Sequence, residues 1–185
     1  LPLGAVRVGI ILPDVPDSAV LRAAVSRSVE EGAILAEEEH LFNAELLGID
    51  FSILFEKASD ANVVAAADRL VEGGAFAVIG GFTTQEASAL GTWAKMRGVP
   101  FINVGASSDS LRHEFCSVAM FHLEPSAAMY LDAFVGWYVR SGFRQWYFVQ
   151  EDTAEGRSQY DRILWSIRER HFGARDIGRT VIEPG

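Results

Sequence analysis

The sequence carries one cysteine, Cys116, among 185 residues. A single thiol closes no internal disulfide, so cysteine usage leaves the redox compartment open. His113 and His122 lie near it in the chain. A catalytic thiol needs a base held within hydrogen-bond reach, and a buried or inert thiol is the expectation here. No apolar run is long enough to span a bilayer, so no direct membrane insertion is expected. No basic-then-apolar leader stands at the start, and the lack of Met at position 1 suggests a processed or trimmed beginning. Lys and Arg number 16 against 25 Asp and Glu, a formal net charge of −9. Without a basic cluster to neutralise phosphates, nucleic acid and anionic lipid surfaces are poor partners.

The signatures of common chemistries are missing too. In the first strand-to-helix turn, Pro13 and Pro16 replace the glycines that a pyrophosphate needs, and Gly9 lies inside the strand. There is no P-loop lysine pattern, no Cys/His spacing that suits zinc, and no G-x-S-x-G elbow. No catalytic set, metal site or cofactor is expected.

What is present is an ordinary folding composition, 49% hydrophobic and 22% charged, well away from disorder. It has a regular rhythm. Val6–Leu12 reads as a buried strand ended by Pro13, followed by a helix from about Ser18 to Phe42 with Leu21, Val25, Val29, Ala33 and Ala36 near one face. Ile49–Phe55 alternates as a second strand. Asp60 is the expected cap of a helix striped by Val63, Ala67, Leu70 and Val71, which Gly73-Gly74 stops. Ala75–Ile79 is a strand, Thr84–Arg97 a helix with Ala87, Leu90 and Ala94 inward, and Pro100–Val104 a fourth strand. Alternating strands and helices with short links predict right-handed crossovers and a doubly wound parallel sheet. The class is α/β.

After Val104 the rhythm breaks into Gly105-Ala106-Ser107-Ser108-Asp109-Ser110, and a strand at Ala119–Leu123 is expected to lead the chain elsewhere. A second series follows: helix Ser126–Gly142, strand Gln145–Gln150, helix Glu155–Phe172 and strand Arg179–Ile182. We therefore expect an N-terminal α/β lobe over residues 1–118, with strand order 2-1-3-4, and the beginning of a second α/β lobe over residues 119–185. Phe134, Trp137, Tyr138 and Trp146 are expected in a core rather than in an aromatic binding box. The helix Ser126–Gly142 is apolar on nearly every side and needs cover on several faces, more than about sixty residues supply. Cover by later residues or by another chain is the expectation.

In an open parallel sheet, ligands bind beyond the carboxyl ends of the strands. The loops there are Pro13–Asp17, Lys57–Asp60, Gly80–Thr84 and Gly105–Ser108. Two of them set Gly beside Ser/Thr at a helix start, where small residues admit a ligand and amides or hydroxyls can hold it. Thr84 and Asp60 read equally as plain helix caps. Asp14 and Asp17 could hold an ion with a third acid, but the third strand ends in Gly80-Gly81 instead.

The same loops carry a resemblance. Val6–Leu12, Gly32-Ala33-x-x-Ala36, Ile49–Phe55 with Asp60 and Ala65-Ala66-Ala67, Ala77-Val78-Ile79-Gly80-Gly81 with Thr83-Thr84-Gln85, and Pro100-Phe101-Ile102-Asn103-Val104-Gly105-Ala106-Ser107 together resemble the N-terminal lobe of type I periplasmic solute-binding proteins of branched-chain amino acid ABC transporters. Val149-Gln150-Glu151-Asp152-x-x-Glu155-Gly156 is similar to the first turn of that family's second lobe. Gly105-Ala106-x-x-Asp109-x-Leu111-Arg112, Cys116, His122, Pro125-Ser126 and Ala128-Met129 resemble a divergent subset associated with PQQ-dependent alcohol oxidation systems.

The resemblance implies an extracytoplasmic, periplasmic binder, not an enzyme, that traps a small polar ligand between two lobes and serves a membrane permease. It implies that Thr83 or Thr84, with Gly105 and Ser107, meets the ligand's carboxylate and amino groups. The two small-residue loops at one sheet edge add Ala106 to this expected site, with Asp14 and Glu155 beside it. The sequence departs from the family at Glu155, where amino-acid binders place an aromatic residue, and at Phe42-Asn43-Ala44-Glu45 in place of a Gly-rich turn. A flavodoxin-like regulatory or enzymatic domain using the Asp14/Asp17 edge is the alternative.

Overall fold

The computed structural model describes residues 4–14 and 20–183. They divide into two compact units, Leu1–Glu124 and Pro125–Gly185. In unit 1 the order is β1 (Ala5–Pro13), α1 (Val20–Leu46), β2 (Asp50–Ala58), α2 (Val63–Glu72), β3 (Ala75–Gly80), α3 (Thr84–Arg97), β4 (Phe101–Asn103), a 3₁₀ turn (Asp109–Arg112) and β5 (Met120–His122). All pairings are parallel and the sheet runs β2-β1-β3-β4-β5.

The central strand shows why the sequence reads as an unbroken apolar run rather than an alternating one. Ile11 faces a core built with Val63, Ala67 and Leu70 of α2, Leu90 of α3 and Phe101. Ile10 and Leu12 face the other way, toward Ala33 of α1 with Val29, Ile53 and Phe55 around it. A strand covered on both faces needs apolar residues at every position. The three helices thus sit on both sides of one sheet, as the doubly wound reading requires.

Five expectations need correcting. The boundary expected at 118 moves to Glu124, because β5 pairs with β4 through Phe101–Met120, Ile102–Phe121 and Asn103–His122 and so completes the first sheet. Helix α1 runs past Phe42 to Leu46, since Asn43-Ala44-Glu45 carry no breaker, and Gly48 at φ 67° ends it. Its inward face is narrower than the apolar spacing implied. Ala33 is buried, whereas Val25 is 46% exposed and Ala36 lies outward. Asp60 does not cap α2, whose cap position is Asn62; Asn62 Oδ1 instead accepts the Ser59 backbone N–H at 2.8 Å. Of the expectation that the lone thiol is buried or inert, the burial does not hold, since Cys116 is exposed.

Unit 2 holds α4 (Ala127–Arg140), β6 (Gln145–Glu151), α5 (Ala154–Glu169) and β7 (Arg175–Ile182). Strands β6 and β7 form a separate two-stranded parallel sheet. Strand β7 begins at Arg175, four residues before the start expected at Arg179. Val135, Val139 and Ile167 form the core, with Trp146, Phe148 and Ile163 partly buried against it. The expectation that Phe134 and Trp137 are core residues fails within this chain, where they are 48% and 58% exposed. They stack instead around Tyr138, at ring distances of 4.4 Å and 4.7 Å. No helix of the described residues is long and apolar enough to cross a membrane.

The two glycines Gly9 and Gly32 give opposite expectations. A Cβ on Gly9 would stand 2.9 Å from Leu70 Cβ, where α2 crosses β1, whereas one on Gly32 meets nothing within 4 Å. Gly9→Ala is expected to destabilise by about 1–3 kcal/mol through overpacking. Gly32→Ala, on an exposed helix face, is expected to stabilise by about 0.5–1 kcal/mol. Denaturant unfolding of both variants checks this, and equal midpoints would refute the close packing of α2 on β1.

Candidate functional site

Parallel pairing brings the carboxyl ends of β1, β2, β3 and β4 to one edge of the unit 1 sheet. A cleft of about 520 Å³ opens there, lined by Asp14, Ser59, Asp60, Phe82, Thr83 and Gly105, with Val25 and Val29 of α1 on its apolar side. The Asp14 backbone N–H donates to Ala58 O at 2.7 Å, which ties the ends of β1 and β2 together.

The third loop is set by a capping box. Thr83 Oγ1 accepts from the Glu86 N–H at 3.1 Å, and the Glu86 carboxylate accepts from the Phe82 and Thr83 N–H groups at 2.9 Å and 3.3 Å. The Thr83 hydroxyl also donates to Asp60 Oδ1 at 2.7 Å. Its one proton and one of its lone pairs are therefore already engaged. Thr83 lines the cleft, but its hydroxyl holds the loop together rather than waiting for a ligand.

The fourth loop hangs on Asn103, which is fully buried. Its Oδ1 accepts the backbone N–H of Ala106 at 3.0 Å and, more weakly, that of Gly105 at 3.4 Å. Its Nδ2 donates to Ala106 O at 2.7 Å and meets His122 Nδ1 at 3.0 Å. Because the backbone N–H groups fix which end of the amide is the oxygen, the Nδ2 proton points at His122, and Nδ1 must be the unprotonated acceptor. Gly81, at φ 81°, allows this close arrangement, for a Cβ there would stand 3.2 Å from Asn103 Oδ1 and 2.9 Å from Phe101 Cζ. Gly105 in turn packs against Phe82, with a notional Cβ only 2.9 Å from its ring.

Of the expected ligand residues, Asp14, Thr83 and Gly105 share this cleft. Thr84 opens α3 and is exposed, Ala106 is buried at 4% exposure, and Ser107 is half-buried; none of these three lines the cleft. Glu155 lies in unit 2, in the first turn of α5, where Gln159 Nε2 donates to its Oε1 at 3.2 Å. It lines a separate cleft of about 400 Å³ with Gln150, Glu151, Thr153 and Tyr160. Asp17 lies outside the described residues. The sequence reading named the loops that hold Ser59 and Phe82 without singling these two out, and it missed Glu86 and the anchoring role of Asn103. Thr83-x-x-Glu86 was a legible capping signature, whereas nothing local marks Asn103 as an anchor, because its partners are Ala106 and the distant His122.

Among the described residues, no group of three His, Cys, Asp or Glu is placed to hold a metal ion. The arrangement is one of short, firmly held loops around a cleft that mixes apolar walls with carboxylates.

A family model described as periplasmic binding protein matches residues 5–185. No curated protein matches the chain. Among solved structures, a branched-chain amino acid ABC transporter periplasmic ligand-binding protein from Burkholderia xenovorans LB400 is 14% identical with a TM-score of 0.83, over 96% of this chain and 46% of that one. An ABC transporter substrate-binding protein from Desulfitobacterium hafniense, in complex with Leu, is 17% identical with a TM-score of 0.79, over 98% of this chain and 51% of that one. A solute-binding protein of an ABC transporter from Rhodopseudomonas palustris BisB5, in complex with 3,4-dihydroxybenzoic acid, is 17% identical with a TM-score of 0.69, over 97% of this chain and 47% of that one. At these identities the likeness is one of fold, and the chain spans about half the length of the structures it matches.

The His122–Asn103 contact makes a pH dependence. Burial depresses the His122 pKa below its ordinary 6.5, the charge of Arg112 adds to this, and a hydrogen bond with the Leu111 backbone opposes it. A histidine with a lowered folded pKa contributes stability that is complete above the unfolded value, about 6.5. That stability is lost as pH falls from there toward the folded pKa, since the unfolded chain takes up the proton first. Protonation would also set the Nδ1 proton against the Asn103 amide. Unfolding midpoints at pH 7.5 and 5.0 are expected to drop more in the wild type than in His122→Asn; equal drops would show that this ring is not the titrating group.

Proposed function

Because the chain belongs to the periplasmic binding protein family, we propose that it is the ligand-holding part of an extracytoplasmic, periplasmic solute-binding component that serves the membrane permease of an ABC transporter. The observation that carries the reading is the cleft at the carboxyl edge of the unit 1 sheet, walled by Asp14, Asp60, Phe82 and Gly105. Its loops are held by internal hydrogen bonds that need no ligand, the condition for a site formed in advance. The role is binding without catalysis. The Thr83 hydroxyl, which donates to Asp60 Oδ1 and accepts the Glu86 N–H, is committed to the loop. The ligand is small and polar, held by backbone amides and carboxylates over an apolar floor from Val25 and Val29.

Melting-temperature and calorimetric screening of small metabolites against the protein tests the reading, with one class of solute expected to bind. Gly105→Ala, which drives a methyl group into Phe82, is expected to weaken that binding by about 1–3 kcal/mol. Thr83→Ala, by contrast, acts through the helix cap and costs stability of about 1 kcal/mol. Unchanged affinity in Gly105→Ala would place the solute elsewhere, and a protein that binds no solute would end the proposal.

A further inference from the structure

A titratable ring is bonded to the loop that walls the unit 1 cleft. His122 of β5 has its Nδ1 3.0 Å from Asn103 Nδ2, and Asn103 holds loop 103–106 through Ala106 and Gly105. Val104 and Gly105 of that loop line the cleft. The Val104 N–H donates to Gly80 O at 3.0 Å and the Leu123 N–H to Asn103 O at 2.9 Å, so the loop is stitched to the end of β3 and to the end of β5. All of these groups lie in unit 1.

A proton on Nδ1 is hard to accommodate there. It would face the N–H groups of the Asn103 amide, donor against donor. Turning the amide over would present its oxygen to His122. It would also set Nδ2 against the Ala106 and Gly105 N–H groups, and Oδ1 against Ala106 O. Every side-chain bond to the loop would be lost in exchange for one to the ring. Asn103 has no exposed surface, so water is not at hand to replace those bonds.

The groups packed around the ring oppose its charge. Burial acts first, and the Arg112 guanidinium of the 3₁₀ turn adds to it, while a hydrogen bond with the Leu111 backbone favours the charged form. Arg112 Nη2 donates to the Glu124 carbonyl, and its Nη1 is sealed from water without a hydrogen-bond partner among the described residues. The acids of the flanking segments are Asp109, at the start of the turn, and Glu124, two residues beyond the ring. Helix α3 meets β5 through Gly91, packed against Met120.

We propose that His122 is a proton-operated latch on the wall of the cleft. With the ring neutral, Nδ1 accepts from Asn103 and loop 103–106 is held over the end of β4. With the ring charged, that acceptor becomes a donor, the Asn103 amide loses its place, and the loop loosens. The inference goes beyond the solute-binding reading and rests on it only for its use: a wall that loosens in acid holds a solute best near neutral pH.

Nuclear magnetic resonance of the ligand-free protein between pH 7.5 and 4.5 tests the latch. The Gly105 and Ala106 amide signals are expected to move with the same midpoint as the His122 ring nitrogens. Hydrogen-exchange protection at Ala106 is expected to fall about tenfold, the weight of one lost hydrogen bond. In His122→Asn, whose amide oxygen accepts from Asn103 and takes up no proton, both signals are expected to stay in place. In Arg112→Gln, which removes the opposing charge, the ring and loop midpoints are expected to rise together. A ring that titrates while the loop stays fixed refutes the latch, because the ring then turns aside alone. A ring that stays neutral down to pH 4.5 refutes it too, as do loop signals that still move in His122→Asn or midpoints that separate in Arg112→Gln. No solute takes part, so the result stands apart from whether the protein binds one.

Discussion

A single buried amide governs the edge of the unit 1 sheet. Asn103 ends β4, has no exposed surface, and places its donors and its oxygen on Ala106, Gly105 and His122. A polar group sealed from water is costly unless every bond is made, and these bonds are made only when loop 103–106 turns back over β4 and β5 lies beside it. The one side chain thus fixes the loop that walls the cleft and the strand that completes the sheet. Gly81 and Gly105 follow from it, since a side chain at Gly81 would press on the amide and one at Gly105 on Phe82. Polar networks of this kind specify one arrangement because a half-made version is worse than none.

The chain also ties surface acids to neighbouring donors: Asp68 of α2 takes both the Trp93 indole N–H at 2.9 Å and the Arg97 guanidinium. The Trp93 hydrogen bond lowers its pKa most, burial opposes, and Arg97 adds to the lowering. Exposed pairs like these contribute little to stability, commonly under about 1 kcal/mol each, but they dispose of charge.

Much of the fold was written in local pattern. The run Gly9-Ile10-Ile11-Leu12 announced a strand covered on both faces, and Val63, Ala67 and Leu70 announced the inward stripe of α2, because each signal lies within a few residues of itself. What the sequence hid depends on distance. Met120-Phe121-His122 reads as a strand, but only pairing with Phe101–Asn103 decides which sheet it joins. The lining of the candidate cleft was half legible for the same reason. Asp14, Thr83 and Gly105 follow from the rule that ligands sit at the carboxyl edge. The diversion of the Thr83 hydroxyl to Asp60, 23 positions away, and the exclusion of Thr84, Ala106 and Ser107 from the lining follow from loop geometry alone.

Unit 2 is held together on another footing. Its buried apolar core is small, Val135, Val139 and Ile167, while Tyr147, Val149, Phe134 and Trp137 are all about half exposed or more. What sets α4 against α5 is Asp132, whose side chain is 15% exposed and receives both Arg162 and Arg170. Burial pushes the Asp132 carboxyl up, and the Arg162 hydrogen bond with the two guanidinium charges outweighs it, so the group lies below the ordinary carboxylate range. A partly buried ion pair adds less stability than an apolar contact of the same size, yet it permits far fewer arrangements. Leu or Val at position 132 could slide along α5 with little loss, whereas a carboxylate shared by two arginines cannot. Arg162 and Arg170 also lie over the Trp165 ring, at 4.5 Å and 4.8 Å, so the indole is clasped by the same two guanidinium groups. Register in this unit is therefore carried by charge where apolar burial is too slight to carry it.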